Sequence, residues 1–116
     1  MHGTFDRKLD ENETIALYLE RAKSLIQDPD DWLQRDYKKD NRRCAAQAVR
    51  DVLTYGVEDN YYMRAMTALA GENYFGNEPE SAVCNFNDGS SHGEVMNRFD
   101  NTINRLRSLS VLRNSI

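Results

Sequence analysis

Cysteine is scarce in this sequence, and long apolar runs are missing from it. The two cysteines, Cys44 and Cys84, are too few for a disulfide-rich scaffold. The first residues are polar and lack the apolar stretch of a secretory signal. No run approaches the roughly 18 apolar residues that a membrane-spanning helix needs. We therefore expect a cytoplasmic protein that keeps its thiols reduced and does not enter a membrane.

Residues and motifs that commonly carry catalysis are scarce as well. The two histidines are His2 and His92. The sequence has no glycine-rich nucleotide loop, no HExxH motif and no paired CxxC. A single imidazole near two oxygen donors would form an incomplete metal site. We therefore expect no metal and no cofactor.

Basic residues are outnumbered by acidic ones. Fifteen Lys and Arg against 19 Asp and Glu give a net charge of −4, and the pI is near 5.1. Because phosphate binding requires a positive surface, nucleic acid is not the partner we expect. One local basic cluster stands out: Lys38, Lys39, Arg42 and Arg43. It fits either a basic patch or a solvated turn, and the solvated turn is favoured.

Helical periodicity is what the sequence has in quantity. Apolar residues recur every three to four positions in four segments, which predict helices over residues 12–28, 44–56, 58–71 and 91–109. Asn12 or Thr14 is expected to cap the first helix, and Pro29 to end it. With 116 residues the chain has room for one core. We expect a flexible arm at 1–11 and a single, mainly α domain of about four short helices at 12–116.

Two non-helical insertions separate these helices. The first contains Asp40-Asn41, whose side chains tolerate a positive φ, and predicts a small β-hairpin between helices 1 and 2. Trp32 precedes the hairpin and is expected to anchor it by packing against the first or last helix. The second insertion, 71–90, is predicted to be a long loop in which SAVCNF forms an extended segment across the core.

The sharpest polar cluster lies just before the last predicted helix. Asn87, Asp88 and His92 fall within six residues around a turn, and Ser91 with Glu94 matches a capping box. A functional interpretation makes the cluster a site for a metal or an anion at a helix N-terminus. The structural alternative, which we favour, is a capped turn in which an Asx side chain satisfies loop amides.

Cys44 is the second candidate for chemistry. It follows two arginines and opens a helix, and both features favour a reactive thiolate. With His92 and Asn87 it could complete a Cys-His-Asn hydrolase arrangement. The alternative, which we favour, is a small buried side chain on the apolar stripe of Cys44, Ala48 and Val52, beyond hydrogen-bonding reach of His92. Cys84 is predicted to lie in the core.

Four pieces of the chain, in this order, resemble a bacterial and phage family described as domain of unknown function family 6197. They are LERAKSLIQDPDDW, RDYKKDNRRCAAQAV, FND and HGEVMNRFDNTI. The family pattern usually has glycine where this chain has Asn41 and Gln47. The resemblance implies no activity, and it implies that a shared pattern includes four residues: Trp32, Cys44, Asn87 and Asp88.

The sequence favours a non-catalytic helical module that binds another macromolecule, with a protein as its partner. We expect a phage-type or defence-related accessory protein whose binding residues are Trp32, Asn87, Asp88 and His92. The alternative is a small enzyme that uses Cys44 and His92, or a protein that binds a ligand around Asn87, Asp88 and His92. An enzyme requires a concave pocket where its reacting groups converge, whereas a binding module requires an exposed patch.

Overall fold

The computed structural model describes residues 10–53, 59–71 and 78–114. Over these residues the chain forms five α-helices, one short 3-10 turn and one two-stranded hairpin. In chain order the elements are α1 (Glu11–Leu25), β1 (Lys38–Lys39), β2 (Arg42–Arg43), α2 (Ala45–Val52), α3 (Asp59–Ala70), α4 (Pro79–Asp88) and α5 (His92–Asn114). The mainly α class and the hairpin between the first two helices are therefore confirmed.

Helix α1 lies at the centre of the core. Ile15, Leu19 and Ile26 are almost completely buried, and the helix packs along α5 and against α2. Its N-cap is Asp10, which accepts the Asn12 amide, so the predicted cap at Asn12 or Thr14 is wrong. An Asp side chain one turn earlier can satisfy the same free amides and adds a favourable negative charge.

The hairpin forms at the predicted turn. Lys38 pairs with Arg43 and Lys39 with Arg42. Asp40 has a positive φ of 56°, which is the backbone conformation that Asp and Asn tolerate and that a two-residue turn requires. A bridge from Trp32 to Arg43 holds the preceding segment against β2.

Helix α4 corrects the prediction of a loop with an extended SAVCNF segment. Residues 79–88 are helical, with Pro79 in the first turn, where a missing amide hydrogen has no cost. The helix ends at Gly89. Its two buried residues are Val83 and Asn87. Because Asn87 is polar, the sequence shows no continuous apolar period over this segment, and the helix was therefore not predicted.

Helix α5 begins where the capping box predicts. The Ser91 hydroxyl accepts the Glu94 amide at 3.1 Å, and the Glu94 carboxylate accepts the Ser91 amide at 2.7 Å. The helix continues to Asn114, past the predicted end near residue 109. Its buried apolar residues, Val95, Phe99, Ile103 and Leu106, are those of the predicted stripe, and Thr102 and Ser110 are buried as well.

Helices α2 and α3 complete the core. Cys44 is the N-cap of α2, and the buried Ala45, Ala48 and Val49 let this helix approach α1 and α4 closely. Gly71 follows α3 with a φ of +80°, as expected for a terminating glycine. Residues 1–9 of the predicted arm, which include His2, and the predicted helix end at Gly56 lie outside the described residues. None of the helices described is long and apolar enough to cross a membrane.

Candidate functional site

Asn87 is completely buried near the end of α4, and its side chain uses its full hydrogen-bonding capacity. Its Oδ1 accepts the Trp32 indole Nε1 at 2.7 Å and the Ala45 amide at 3.0 Å. Its Nδ2 donates to the Leu33 carbonyl at 2.9 Å and to Asp88 Oδ1 at 3.2 Å. An asparagine side chain has two acceptor positions and two donor hydrogens, and all four are occupied. Asn87 thus joins α4 to the start of α2 and to the segment before the hairpin.

Asp88 also binds the segment before the hairpin, through the backbone of Arg35. Its Oδ1 accepts the Arg35 amide at 2.7 Å. Gln34 Nε2 adds bonds to backbone carbonyls at the end of α4, the shortest to Ser90 at 2.8 Å. Arg35 has a φ of 65°, a conformation that costs energy for a non-glycine residue. The hydrogen bond that the Arg35 amide donates to Asp88 holds Arg35 in this conformation.

His92 and Trp32 form a second junction. His92 Nε2 lies 2.8 Å from the Ile26 carbonyl, which connects the start of α5 to the end of α1. The His92 ring meets the half-buried Trp32 ring edge-on, with 5.5 Å between centroids. Trp32 therefore packs against the first residue of the last helix, as expected, and it is less deeply buried than expected. The capped-turn interpretation is correct that His92 is the first residue of the last helix, but Asn87 and Asp88 lie in α4 and not in a turn.

Cys44 is buried, as the favoured interpretation expects, with 3% of its surface exposed. Its sulfur accepts the Gln47 amide at 3.4 Å, and it lines the same cleft as Cys84. The hydrogen bond to Cys84, followed by burial, raises the pKa of Cys44. The sulfur of Cys44 and the imidazole of His92 therefore belong to two different hydrogen-bonded networks. A direct Cys44–His92 pair is not among the interactions of the described residues.

Cys84 is the residue that sequence reasoning missed. It is half-buried in the middle of α4, whereas the sequence argument placed it in the core. The hydrogen bond from Cys44 lowers the pKa of Cys84 to about 7, and Tyr37 acts in the same direction. Burial and the negative charges of Glu80 and Asp88 oppose this shift. The spacing of Glu80, Cys84 and Asp88 on one helix face would have been a signal if the segment had been recognised as helical.

A cleft of about 300 Å³ opens beside these two sulfurs. We call it the thiol cleft, and it is lined by Arg35, Asp36, Tyr37, Cys44, Cys84 and Asp88. Its lining comes from the segment before the hairpin, from the start of α2 and from α4. Since Asn87 and Asp88 bind that segment to α4, they also set the width of the cleft.

Glu80 holds the side chain of Tyr37, which lines the thiol cleft. Its carboxylate accepts the Tyr37 hydroxyl at 3.2 Å and pairs with Arg50 at 2.9 Å. The Tyr62 hydroxyl donates to the same carboxylate, and burial raises the pKa of Tyr62 to about 12. Arg50 also lies over the Tyr37 ring, 5.3 Å from its centroid. The Tyr37 side chain is therefore held in place although 43% of it is exposed.

A second concavity of about 590 Å³ lies on another face. We call it the α1–α3 groove, and its lining includes Ile15, Met63 and Leu106. Met63 is 48% exposed. An ion pair between Arg64 and Glu11 lies along the same groove. Among the described side chains, no group of three His, Cys, Asp or Glu residues is arranged to hold a metal ion.

The fold and this site define a small helical protein in which a hairpin segment is fastened to a helix end by a buried asparagine, beside a two-thiol cleft. The chain belongs to the family of unknown function DUF6197, whose model matches residues 10–105. No curated protein and no solved structure gives a significant match. The match covers Trp32, Cys44, Asn87 and Asp88, the four residues for which the resemblance implied a shared pattern.

Proposed function

We propose that this protein is a non-catalytic binding module that binds a protein partner through the thiol cleft. The observation that carries the proposal is the exposed, braced Tyr37 at the mouth of a concave site whose lining is fixed by Asn87 and Asp88. A rigid aromatic side chain beside a pocket is the usual centre of a protein interface. Preorganised walls reduce the entropy that binding would otherwise cost.

The positions of the candidate polar residues support binding over catalysis. The Asn87 side chain has no free hydrogen-bonding position. The His92 imidazole is engaged with Ile26 and Trp32. Neither group is available to act as the base or the orienting residue of a hydrolase unless it leaves its present partners. Their contribution in this proposal is to hold the binding surface in shape.

The chemistry of the rim favours a polypeptide segment as the occupant. A volume of about 300 Å³ is at the small end of ligand pockets, and it suits one inserted side chain. The exposed Arg35, Asp36 and Tyr37 can contact the backbone and neighbouring side chains of such a segment. The carboxylates of Asp36 and Asp88 disfavour a nucleic-acid backbone. We further propose a cytoplasmic setting and a phage-type or defence-related accessory role.

The experiment is site-specific photocrosslinking in the full chain. A benzoylphenylalanine at position 37 reports on the thiol cleft, and one at position 63 reports on the α1–α3 groove. Each probe is irradiated in lysate of the source organism, with and without an excess of unlabelled protein. The captured protein is then purified, and its affinity is measured for the wild type, Arg35→Glu and the control Ser108→Ala, which alters an exposed residue of α5.

We expect a discrete adduct from position 37 that unlabelled wild type competes away. We also expect Arg35→Glu to weaken binding of the purified partner at least about tenfold, as a residue at the centre of an interface does, with Ser108→Ala unchanged. A competed adduct from position 63 alone would transfer the binding site to the α1–α3 groove. Absence of a protein adduct at both positions would contradict the proposal.

A further inference from the structure

We propose that Cys84 and Cys44 form a reversible dithiol–disulfide pair, in which Cys84 attacks a low-molecular-weight disulfide and Cys44 resolves the mixed disulfide. The proposal concerns a chemical activity of the thiol cleft. It does not depend on the identity, or the existence, of the partner proposed above. A glutathione-type disulfide is the oxidant it requires.

The geometry of the two sulfurs assigns their roles. They lie on two packed elements, Cys44 at the N-cap of α2 and Cys84 in α4, and both face the same cleft of about 300 Å³. Both line the thiol cleft, but Cys44 is 3% exposed whereas Cys84 is half-buried. A reagent entering the cleft therefore reaches Cys84 first. Cys44 is within reach of the Cys84 sulfur and is shielded from the reagent.

The groups around the sulfurs favour the same order. The thiolate is the attacking species in disulfide exchange, and the neighbouring Cys44 thiol and Tyr37 hydroxyl lower the pKa of Cys84. Glu80 and Asp88 carry the negative charges that face Cys84 and oppose its ionisation. Together these effects bring the pKa of Cys84 to about 7. At neutral pH a substantial fraction of Cys84 is then thiolate, and the thiolate is still more nucleophilic than that of a cysteine with a much lower pKa.

The first step leaves Cys44 ready for the second. The principal cause that raises the pKa of Cys44 is its hydrogen bond to Cys84, and this cause is removed once Cys84 is tied up in a mixed disulfide. The amides of Ala46 and Gln47, at the start of α2, lower the pKa of Cys44. A helix N-terminus stabilises a thiolate in this position. Cys44 thus becomes the nucleophile at the stage that requires it.

The steps balance as an exchange of two electrons. The Cys84 thiolate attacks one sulfur of oxidised glutathione, the S–S bond breaks, and one glutathione leaves as a thiolate that takes a proton from solvent. Cys44 then loses its proton to solvent and attacks the Cys84 sulfur. This breaks the mixed disulfide and releases the second glutathione, which is also protonated. The two protein thiols lose two electrons and two protons, and one oxidised glutathione becomes two reduced molecules.

The test mixes the fully reduced protein with oxidised glutathione at pH 7 and follows intact mass and peptide maps. The wild type is expected to lose two hydrogens and to give a linked peptide pair containing Cys44 and Cys84, without a lasting glutathione adduct. Cys44→Ser is the variant that isolates the first step, because serine is a favoured N-cap and keeps the start of α2 intact. It is expected to accumulate glutathione on Cys84.

Cys84→Ser is the matched variant for the second sulfur, and we expect it to react at least about tenfold more slowly than Cys44→Ser, because its remaining thiol is buried. Circular dichroism before and after reaction checks that each variant is folded. Stable glutathione on wild-type Cys84 would overturn the resolving role of Cys44. Equal rates for the two folded variants, or faster reaction at Cys44, would overturn the assignment of the attacking thiol.

Discussion

The Trp32 indole donates a hydrogen bond to the side-chain oxygen of Asn87, and this 2.7 Å contact fastens the segment before the hairpin to the end of α4. The two residues are 55 positions apart in the sequence. Because Asn87 also accepts the Ala45 amide, a single buried side chain joins three parts of the fold. Stability and the shape of the thiol cleft consequently depend on the same contacts.

Asn87→Ala is expected to lower the free energy of unfolding by about 3–5 kcal/mol, because it leaves the Trp32 Nε1, the Ala45 amide and the Leu33 carbonyl without their partner. Urea unfolding measures the change. Asn85→Ala is the matched control: it alters the same residue type in the same helix at an exposed position, and should change stability by less than about 0.5 kcal/mol. Equal effects of the two substitutions would contradict the central role of Asn87.

Trp32→Phe tests the indole hydrogen bond separately from the ring contact. Phenylalanine can still pack against His92 but has no N–H to donate, so we expect a loss of about 1–2 kcal/mol. Trp32→Ala should cost about 3 kcal/mol, since the ring contact is lost too. Trp32→Phe in an Asn87→Ala background should cost clearly less than in the wild type. Additive effects in urea unfolding would mean that the two side chains are not coupled.

Ser91→Ala is expected to destabilise the protein by about 1 kcal/mol, because the Glu94 amide loses the hydroxyl that caps α5. Ser108→Ala, which changes an exposed serine inside the same helix, should be neutral or slightly stabilising, since alanine has the higher helix propensity. The midpoints of thermal unfolding provide the comparison. A Ser91→Ala protein as stable as Ser108→Ala would show that the cap contributes nothing.

The pH dependence of alkylation tests the ionisation of Cys84. The folded-state pKa is lowered to about 7, so the rate with iodoacetamide should rise through a midpoint near pH 7, where an ordinary thiol is still mostly protonated. Cys44→Ala removes the hydrogen-bond donor, and its midpoint should move upward towards that of an ordinary cysteine. Cys44→Ser retains a hydroxyl donor and should keep most of the shift. A midpoint that is the same in all three proteins would exclude Cys44 as the cause.

Some of this structure can be predicted from the sequence because the relevant signals are local. The Asp40-Asn41 turn and the Ser91–Glu94 box each fix their element within a few residues, and both predictions are confirmed. Helix α4 was not predicted, because its buried face carries Asn87 at a position where an apolar residue would have continued the helical period. Composition gives no means of knowing that this side chain would be satisfied by partners more than forty positions away.

The candidate site also contains one residue that local sequence signals predict and one that depends on long-range packing. Burial of Cys44 follows from its place on an apolar stripe. The properties of Cys84 depend on a sulfur that only the packing of α2 against α4 brings near it. A sequence pattern assigns a residue to a helix face, but it does not identify the group that faces it across the core. The pairing of the two cysteines therefore became visible only in three dimensions.

The long-range hydrogen bonds of Asn87 also bear on the order in which the chain folds. Its bonds to Trp32, Leu33 and Ala45 span 55, 54 and 42 positions, so each must await closure of a long loop, whereas α1 and α5 can begin from local contacts. We expect these bonds to be absent from the folding transition state. Asn87→Ala would then accelerate unfolding and leave the folding rate nearly unchanged. The thiol cleft would be among the last parts of the molecule to assemble and the first to open.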